Sequence, residues 1–285
     1  MTAPDRGAQP GTAQPGTGQQ VQGSQAGWAS TQGLTGLILG PVLIVAFLLW
    51  EARAADPMIP LGIFRSTTFS SAVSTQFLMS AAIYSAAFLT SQFFQFALGN
   101  SPLGTGLRFL PWTATPLFVA PAAGALSDNT GARNLVVPGL LMQGAGFAWI
   151  VAFASHSSGY GGYIAPFIIA GTGFSMAVPC VTAAGLNAVS PVLLGKAAGT
   201  LNTLQQFGAV FGIAIVTAVF NTHGSLADPA TVTSGYRPAL AVAAGLSVLG
   251  AATAIGIRRA AQTRAAGPSQ QGEARLDEIT ALKAD

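Results

Sequence analysis

Charge is what this chain has least of: 12 Lys and Arg and 9 Asp and Glu among 285 residues, 7% in all, against 51% hydrophobic residues. A soluble domain carries about a quarter charged residues, so these few cannot clothe a water-facing surface, and a soluble fold is excluded. Residues 66–107, 134–195 and 197–227 hold no Asp, Glu, Lys or Arg. Runs that long, each with enough apolar residues for one or more spans of ~20 residues, mark an all-α polytopic membrane protein. Cysteine is almost as scarce. Cys180 stands alone, which excludes an intrachain disulfide and a thiolate metal cluster, and His156 and His223 are the only histidines. No metal site and no cofactor is expected. The net charge of +3 comes from a small arginine excess without a basic patch, so nucleic acid is not a partner. The partner that the composition implies is the lipid bilayer.

What is present divides into zones. Residues 1–27 are rich in Gly, Gln, Pro, Thr and Ser, with the unit QPGT at Gln9 and again at Gln14. Such a segment has too little apolar area to offset its ordering entropy and reads as a disordered tail. It lacks the basic start followed by an apolar core that a signal peptide needs. Residues 28–65 read as a first transmembrane helix and a cytoplasmic linker, the uncharged run 34–50 ending at Glu51, Arg53 and Asp56. Residues 66–257 read as six further helices, at 69–98, 107–126, 135–154, 163–189, 197–220 and 238–257. The second of these carries Pro111, Pro116 and Pro121, so a bent helix is expected there. Turn signals separate the spans: Gly99-Asn100-Ser101-Pro102, the polar stretches 127–134 and 155–162, and a loop over 221–235. Residues 258–285 form a polar cytoplasmic tail, mostly disordered. At most, 273–285 make one short amphipathic helix on Leu276, Ile279 and Leu282.

Seven spans place the chain ends on opposite sides of the membrane. With the N-terminus outside, the inner loops and proximal tail hold Arg53, Arg65, Arg133, Lys196, Arg258, Arg259 and Arg264, and the outer flanks hold only Arg108 and Arg237. Cytoplasmic loops carry the excess of Lys and Arg. The tally favours N-terminus out and C-terminus in.

The turn after the third span reads Gly124-Ala-Leu-Ser-Asp128-Asn-Thr-Gly131-Ala-Arg133-Asn134. It resembles the loop motif of the major facilitator superfamily: a glycine, an aspartate four later, a glycine three later, then basic residues. Asn129 and Asn134 stand where that motif usually has basic residues. The chemistry suits a tight connection, since Gly131 can take positive φ, Gly124 lets helices approach, and Asp128 can accept from helix N-terminal amides or an arginine. Other stretches look like the fourteen-span drug:proton antiporter branch of that superfamily. They are Trp50-Glu-Ala-Arg53 with Pro57 and Pro60 before Phe64-Arg65, Gln95 to Pro102 leading into Gly106-Leu-Arg108-Phe-Leu-Pro111, and Gly195-Lys-Ala-Ala-Gly199-Thr-Leu-Asn202-Thr-Leu-Gln205-Gln206-Phe-Gly208. They occur in order over residues 28–257 and resemble the C-terminal half of such a transporter.

That resemblance implies a multi-pass protein of the cell membrane exporting small lipophilic, often cationic, substrates in exchange for protons, with Gly124, Asp128, Gly131 and Arg133 as a gating loop. It also implies an N-terminal half-transporter as partner, this chain being a truncated or half transporter. Alternating access rocks two such domains about a central cavity, and a proton-coupled exporter needs a carboxylate there. No predicted span interior contains Asp, Glu, Lys, Arg or His. The polar candidates for the cavity are amides and aromatics, Gln76, Tyr84 and Asn187 first, with Gln92, Gln95, Trp112, Asn202, Gln205 and Gln206 behind them; each can equally serve as a hydrogen bond between helices. Two function classes stay open: the transporter portion, and a free-standing membrane scaffold or remnant that moves nothing. An intramembrane enzyme is excluded, because no acid, base or nucleophile pair lies at membrane depth.

Overall fold

A computed structural model describes residues 31–51, 53, 61–154 and 159–258. The chain divides into two compact units, residues 1–58 and 59–285. The first contains helix α1 (Thr31–Glu51), whose residues 42–47, 49 and 50 are exposed. The QPGT tail, the tail helix on Leu276, Ile279 and Leu282, and His156 lie outside the described residues.

The second unit is a bundle of α-helices. After a 3-10 turn at Leu61–Arg65, α2 (Thr67–Gln92) starts at Ser66, whose Oγ accepts from Phe69 N at 3.3 Å. Its last turn widens to a π-helix at Phe93–Ala97. The proline-rich span follows in three pieces, α3 (Pro102–Arg108), α4 (Leu110–Thr113) and α5 (Thr115–Thr130). Pro111 and Pro116 each fall in the first two positions of a new piece, where the missing N–H costs nothing. The expected bend is therefore a break of 45° between α3 and the rest, and the helix starts at Pro102 rather than at residue 107. Pro121 sits inside α5 without ending it. Then come α6 (Arg133–Phe153), α7 (Gly161–Asn187), α8 (Leu194–His223, behind a 3-10 turn at Pro191–Leu193) and α9 (Pro229–Ala254).

The start of α9 corrects the expected loop over 221–235 and the helix start at 238. Asp228 caps the helix, its Oδ2 accepting from Ala230 N at 3.1 Å, and Pro229 takes the first position. The first two turns are polar, so the apolar run begins well after the helix does. Arg237 consequently lies inside α9, where its Nε donates to Val151 O at 2.9 Å. Val151 is in the last turn of α6, so the guanidinium satisfies a carbonyl that the helix end leaves open.

Among the described residues, five helices are long and apolar enough to cross a membrane, and six if the bent α3–α5 pair is one span. Their packing has an internal symmetry. α2 packs on α8 and α9, and α7 packs on α5 and α6, while α2 meets α7 and α6 meets α9. Exchanging the first three spans for the last three maps these contacts onto one another. Three spans reverse direction across the membrane, so this is an inverted-topology repeat. α2 and α7 occupy the centre, flanked by α8 and by α5, with α6 and α9 behind.

Gly208 and Gly212 of α8 seat directly on the α2 backbone, where a Cβ would run into Phe77 O and Ala81 O. The other small-residue pair of α8, Gly195 and Gly199, has nothing within 4 Å, so only the first pair packs inside the bundle.

The two ends of the bundle differ. One gathers Arg65, the α5–α6 turn, Lys196 and Arg258, the Arg258 N–H donating to Thr68 Oγ1 at 3.4 Å. The other is an aromatic lattice. Phe93 stacks on Tyr236 with ring centres 4.3 Å apart, Trp112 stacks on Phe109 and Phe167, and Tyr236 Oη pairs with Thr90 Oγ1 at 3.0 Å. Here Tyr160 Oη donates to Arg108 O at 3.0 Å, and the Arg108 guanidinium lies 5.6 Å from the Tyr160 ring centre. Burial pushes the Tyr160 phenol above its usual pKa, partly offset by that guanidinium.

Candidate functional site

Two groups of residues were singled out by the sequence, and the bundle places them on different surfaces. The loop motif forms the α5–α6 turn at the basic end. Gly131 ends α5 with φ +88°, its N–H donating to Ser127 O at 2.9 Å. Positive φ is the conformation that glycine alone adopts without penalty, so the second glycine of the motif has a backbone reason. Around it, Thr130 Oγ1 donates to Leu126 O at 2.8 Å within α5, and Asn134 Nδ2 donates to Thr130 O at 3.0 Å, which ties α6 to α5 across the turn. Arg133 is the exposed first residue of α6. With Arg258 it lines a half-open cleft of about 300 Å³ that also includes Gly131, Asn134 and Ile257. Asp128 lies in the last turn of α5, its side chain outside the described residues. Gly124 is half-buried on α5, and a Cβ there would find nothing within 4 Å; in this arrangement it permits no close helix approach.

The cavity candidates do not converge. Tyr84 is 41% exposed on the front of α2, and Asn187 is exposed at the final residue of α7. α2 and α7 run antiparallel, with Gly185 opposite Ala72. Tyr84 therefore stands about fourteen residues, or ~21 Å at 1.5 Å per residue, along the bundle from the level of Asn187. Gln76 is 2% exposed, covered within the bundle. Trp112 is buried within the aromatic lattice. Gln95 spends its amide on a local bond, Nε2 donating to Ser91 Oγ at 3.0 Å.

Two residues that sequence reasoning missed extend the Tyr84 surface. Phe88 is 37% and Phe96 47% exposed, and with half-buried Gln92 they continue from Tyr84 at intervals of four, the spacing that lines one helix face. The spacing was visible beforehand, but four aromatic or amide residues in an apolar helix look the same whether they face a core or a cavity. On α7, exposed Ile168 shares the open side with Ala165, Ala183 and Asn187. The front of the two central helices is thus aromatic and amide in character and carries no Asp, Glu, Lys, Arg or His among the described residues. Such a surface can hold a large apolar molecule through ring contacts, and a cation through ring faces.

Comparison with known proteins gives a consistent set of relatives. Residues 73–284 match the profile of the Major Facilitator Superfamily. The multidrug resistance protein Stp of Mycobacterium tuberculosis is 30% identical over 199 residues, which are 70% of this chain and 37% of that protein. The cephamycin export protein CmcT of Amycolatopsis lactamdurans is 28% identical over 220 residues, 76% of this chain and 45% of its own length. The multidrug efflux pump LfrA of Mycolicibacterium smegmatis is 28% identical over 224 residues, 78% of this chain and 44% of that pump. The chain spans less than half the length of these curated relatives.

Proposed function

The chain belongs to the major facilitator superfamily, and from that premise we propose that its six-span bundle is one half of a drug exporter of the proton-antiport type. It is a multi-pass membrane protein of a transport family. In the proposed reading it lies in the cell membrane with the basic end of the bundle in the cytoplasm, so that the N-terminus is outside and the C-terminus inside. The cargo is a small lipophilic molecule, often a cation, and a six-helix N-terminal half supplies the opposite wall of the cavity.

The carrying observation is the open face of α2 and α7. In an inverted-repeat bundle the two central helices are equivalent under the symmetry, so the cavity forms where both present the same side. Here that side is aromatic through Tyr84, Phe88 and Phe96. It offers contact area without a carboxylate, so proton exchange belongs to a group on the other half. The turn at Gly124, Asp128, Gly131 and Arg133 serves this reading as a cytoplasmic gate. The Asn134 side chain, bonded to Thr130 O across Gly131, ties α6 to α5, leaving the Arg133 guanidinium to engage and release another domain as the halves rock.

The test is reconstitution into vesicles with an imposed pH gradient, following a fluorescent lipophilic cation. Gradient-driven export is expected when an N-terminal half of a related exporter is supplied with this chain, and none with the chain alone. Flux with the chain alone that dissipates the gradient would refute the need for a second wall and an external carboxylate. Absence of flux in both preparations would leave the scaffold reading standing in place of export.

A further inference from the structure

Where α6 begins and α9 ends, a single cleft of about 300 Å³ is lined by both Arg133 and Arg258, along with Asn134 and Ile257. The fold brings these two distant cations together by a buried anchor. Past Ala254 the chain makes one further tight turn, Gly256 N donating to Thr253 O at 3.1 Å and Ile257 N to Ala254 O at 3.0 Å. Ile257 is then buried in the same apolar cluster as Leu135 and Val136 of the first turn of α6. The next residue, Arg258, is thereby set at the cleft that Arg133 enters from α6.

Both arginines are exposed. Asn134 Nδ2 is committed to Thr130 O at 3.0 Å, so the charged donors of the cleft are the two guanidiniums. Among the described residues no carboxylate lines it, and Asp228 caps α9 at the opposite end. Two like charges sharing one recess repel, and an anion between them relieves that repulsion. The planar fork of a guanidinium matches the oxygens of a phosphate.

The surface that leads away from the cleft decides which phosphate fits. α6 and α9 pack together behind the central pair, a Cβ on Gly144 standing 3.5 Å from Val248 Cγ2 and 3.3 Å from Ala244 O. Leu141 is seven residues beyond Asn134 on α6, and Ile255 and Val248 are three and ten residues before Arg258 on α9. At 3.6 residues per turn each stays within about 80° of its cleft residue around the helix. All three are exposed. Two guanidiniums therefore stand at the head of a bare apolar strip. A soluble phosphate uses only the first of these features, whereas a phospholipid uses both.

We infer that the cleft binds an anionic phospholipid, Arg133 and Arg258 donating to its phosphate oxygens while an acyl chain lies along Leu141, Val248 and Ile255. Basic pockets between transmembrane helices suit such head groups, and a choline head group would bring a third cation to the pair. The site needs only a membrane surface at the basic end, so it stands independently of the export reading. Its consequence is that a molecule of the bilayer bridges the start of α6 and the end of α9, and occupies the guanidinium that a rocking domain engages in that reading.

Titration of the full chain in micelles with phosphatidylglycerol, phosphatidylcholine or inorganic phosphate, read by native mass spectrometry, tests the inference. Phosphatidylglycerol is expected to bind several-fold more tightly than phosphatidylcholine with the same chains. That preference is expected to fall several-fold in Arg133→Gln and in Arg258→Gln. It should persist in Arg65→Gln, which removes an equal charge from the same end outside the cleft. All three arginines are exposed, and unchanged helicity verifies that each variant folds. A second measurement locates the chains: fluorescence of Leu141→Trp is expected to be quenched more by phosphatidylglycerol with brominated chains than by brominated phosphatidylcholine, and the excess to vanish when Arg133→Gln is added. Equal affinity for the two lipids would overturn the inference. So would a preference lowered as much by Arg65→Gln as by Arg133→Gln, which would trace it to diffuse surface charge. Displacement of the lipid by an equal concentration of inorganic phosphate would make the cleft a free-phosphate site and refute the lipid, as would binding without excess quenching.

Discussion

The contact between α8 and α2 yields a prediction in which the sign of the effect, not only its size, comes from the structure. Glycine inside a helix costs about 1 kcal/mol relative to alanine in water, so Gly→Ala at an open helical position stabilises by up to that amount. Gly195 and Gly199 are open, with nothing within 4 Å of a new methyl group. At Gly208 and Gly212 the same methyl meets the carbonyl oxygens of Phe77 and Ala81, which are backbone atoms and cannot rotate away. Accommodation requires α8 to back off from α2 along its length, and overpacking of this kind costs about 1–3 kcal/mol. The rigid nature of the obstacle selects the upper part of that range. After the gain in helix propensity is subtracted, Gly212→Ala is expected to destabilise by about 2 kcal/mol. The Gly208→Ala/Gly212→Ala pair is expected to cost less than the sum, because one displacement of α8 relieves both collisions. Reversible unfolding in mixed micelles, with helicity as the signal, measures each difference. A Gly212→Ala chain at least as stable as the unaltered one, or a Gly199→Ala chain damaged to the same degree, would refute the seating of α8 on α2.

Other consequences can be checked in the same preparation. Tyr236→Phe removes the hydroxyl that pairs with Thr90 Oγ1 while keeping the ring stacked on Phe93, and is expected to cost about 1 kcal/mol; Thr90→Val should cost about as much, and the double variant less than the two together. Gly131→Ala forces a side chain to φ +88°, ψ 141°, a region outside the left-handed helical well, and is expected to cost about 1–3 kcal/mol, with Gly131→Asn no milder; equal stability for all three would mean the turn adopts another conformation. Reporters fused to the two ends should map the N-terminus outside and the C-terminus inside, and a common side for both would disprove an odd number of spans.

Charge-free runs made the helices legible because a bilayer tolerates so few charges that each loop is marked by the residues it contains. The same rule fails at helix ends beyond the hydrocarbon. Thr231, Thr233, Ser234 and Arg237 occupy the first turns of α9, and nothing in their polarity separates a solvated helix from a loop; the Asp228-Pro229 cap was the available signal. Prolines announced the bend of the third span, but the places where it breaks depend on which proline opens a new helix and which, like Pro121, is carried inside one. Side-chain direction was the least legible property. In a soluble helix the polar residues mark the outside, whereas in lipid Gln76 turns inward and Phe88 outward, because the outside is as apolar as the core. Thus Gln76 and Tyr84, eight residues apart and only about 80° around one helix, are respectively covered and exposed, and polarity alone assigned both to the cavity.

The inverted repeat equates α8 with the α3–α5 span, yet the two flanking arms are built in opposite ways. α8 is one continuous helix of 30 residues, pinned to α2 by Gly208 and Gly212. Its counterpart is cut at Phe109 and Ala114 and bent by 45°. The counterpart also meets its central helix through a glycine, Gly171 of α7, but the atoms it faces belong to Trp112 and Thr115 in the jointed region. Thr115 Oγ1 donates to Trp112 O at 2.7 Å and also approaches Ser175 Oγ of α7 at 3.4 Å, so the joint is bonded to the helix it packs against. A continuous arm can follow α2 only as a rigid body. A jointed arm can hold its contact with α7 at Trp112 and Thr115 while the pieces on either side change angle, since Phe109 and Ala114 both keep ordinary right-handed backbone angles and store no strain. The difference places the helix breaks on the side of the bundle that leads into the Gly131 turn and Arg133, and an unbroken helix on the side that supports Tyr84 and Phe88.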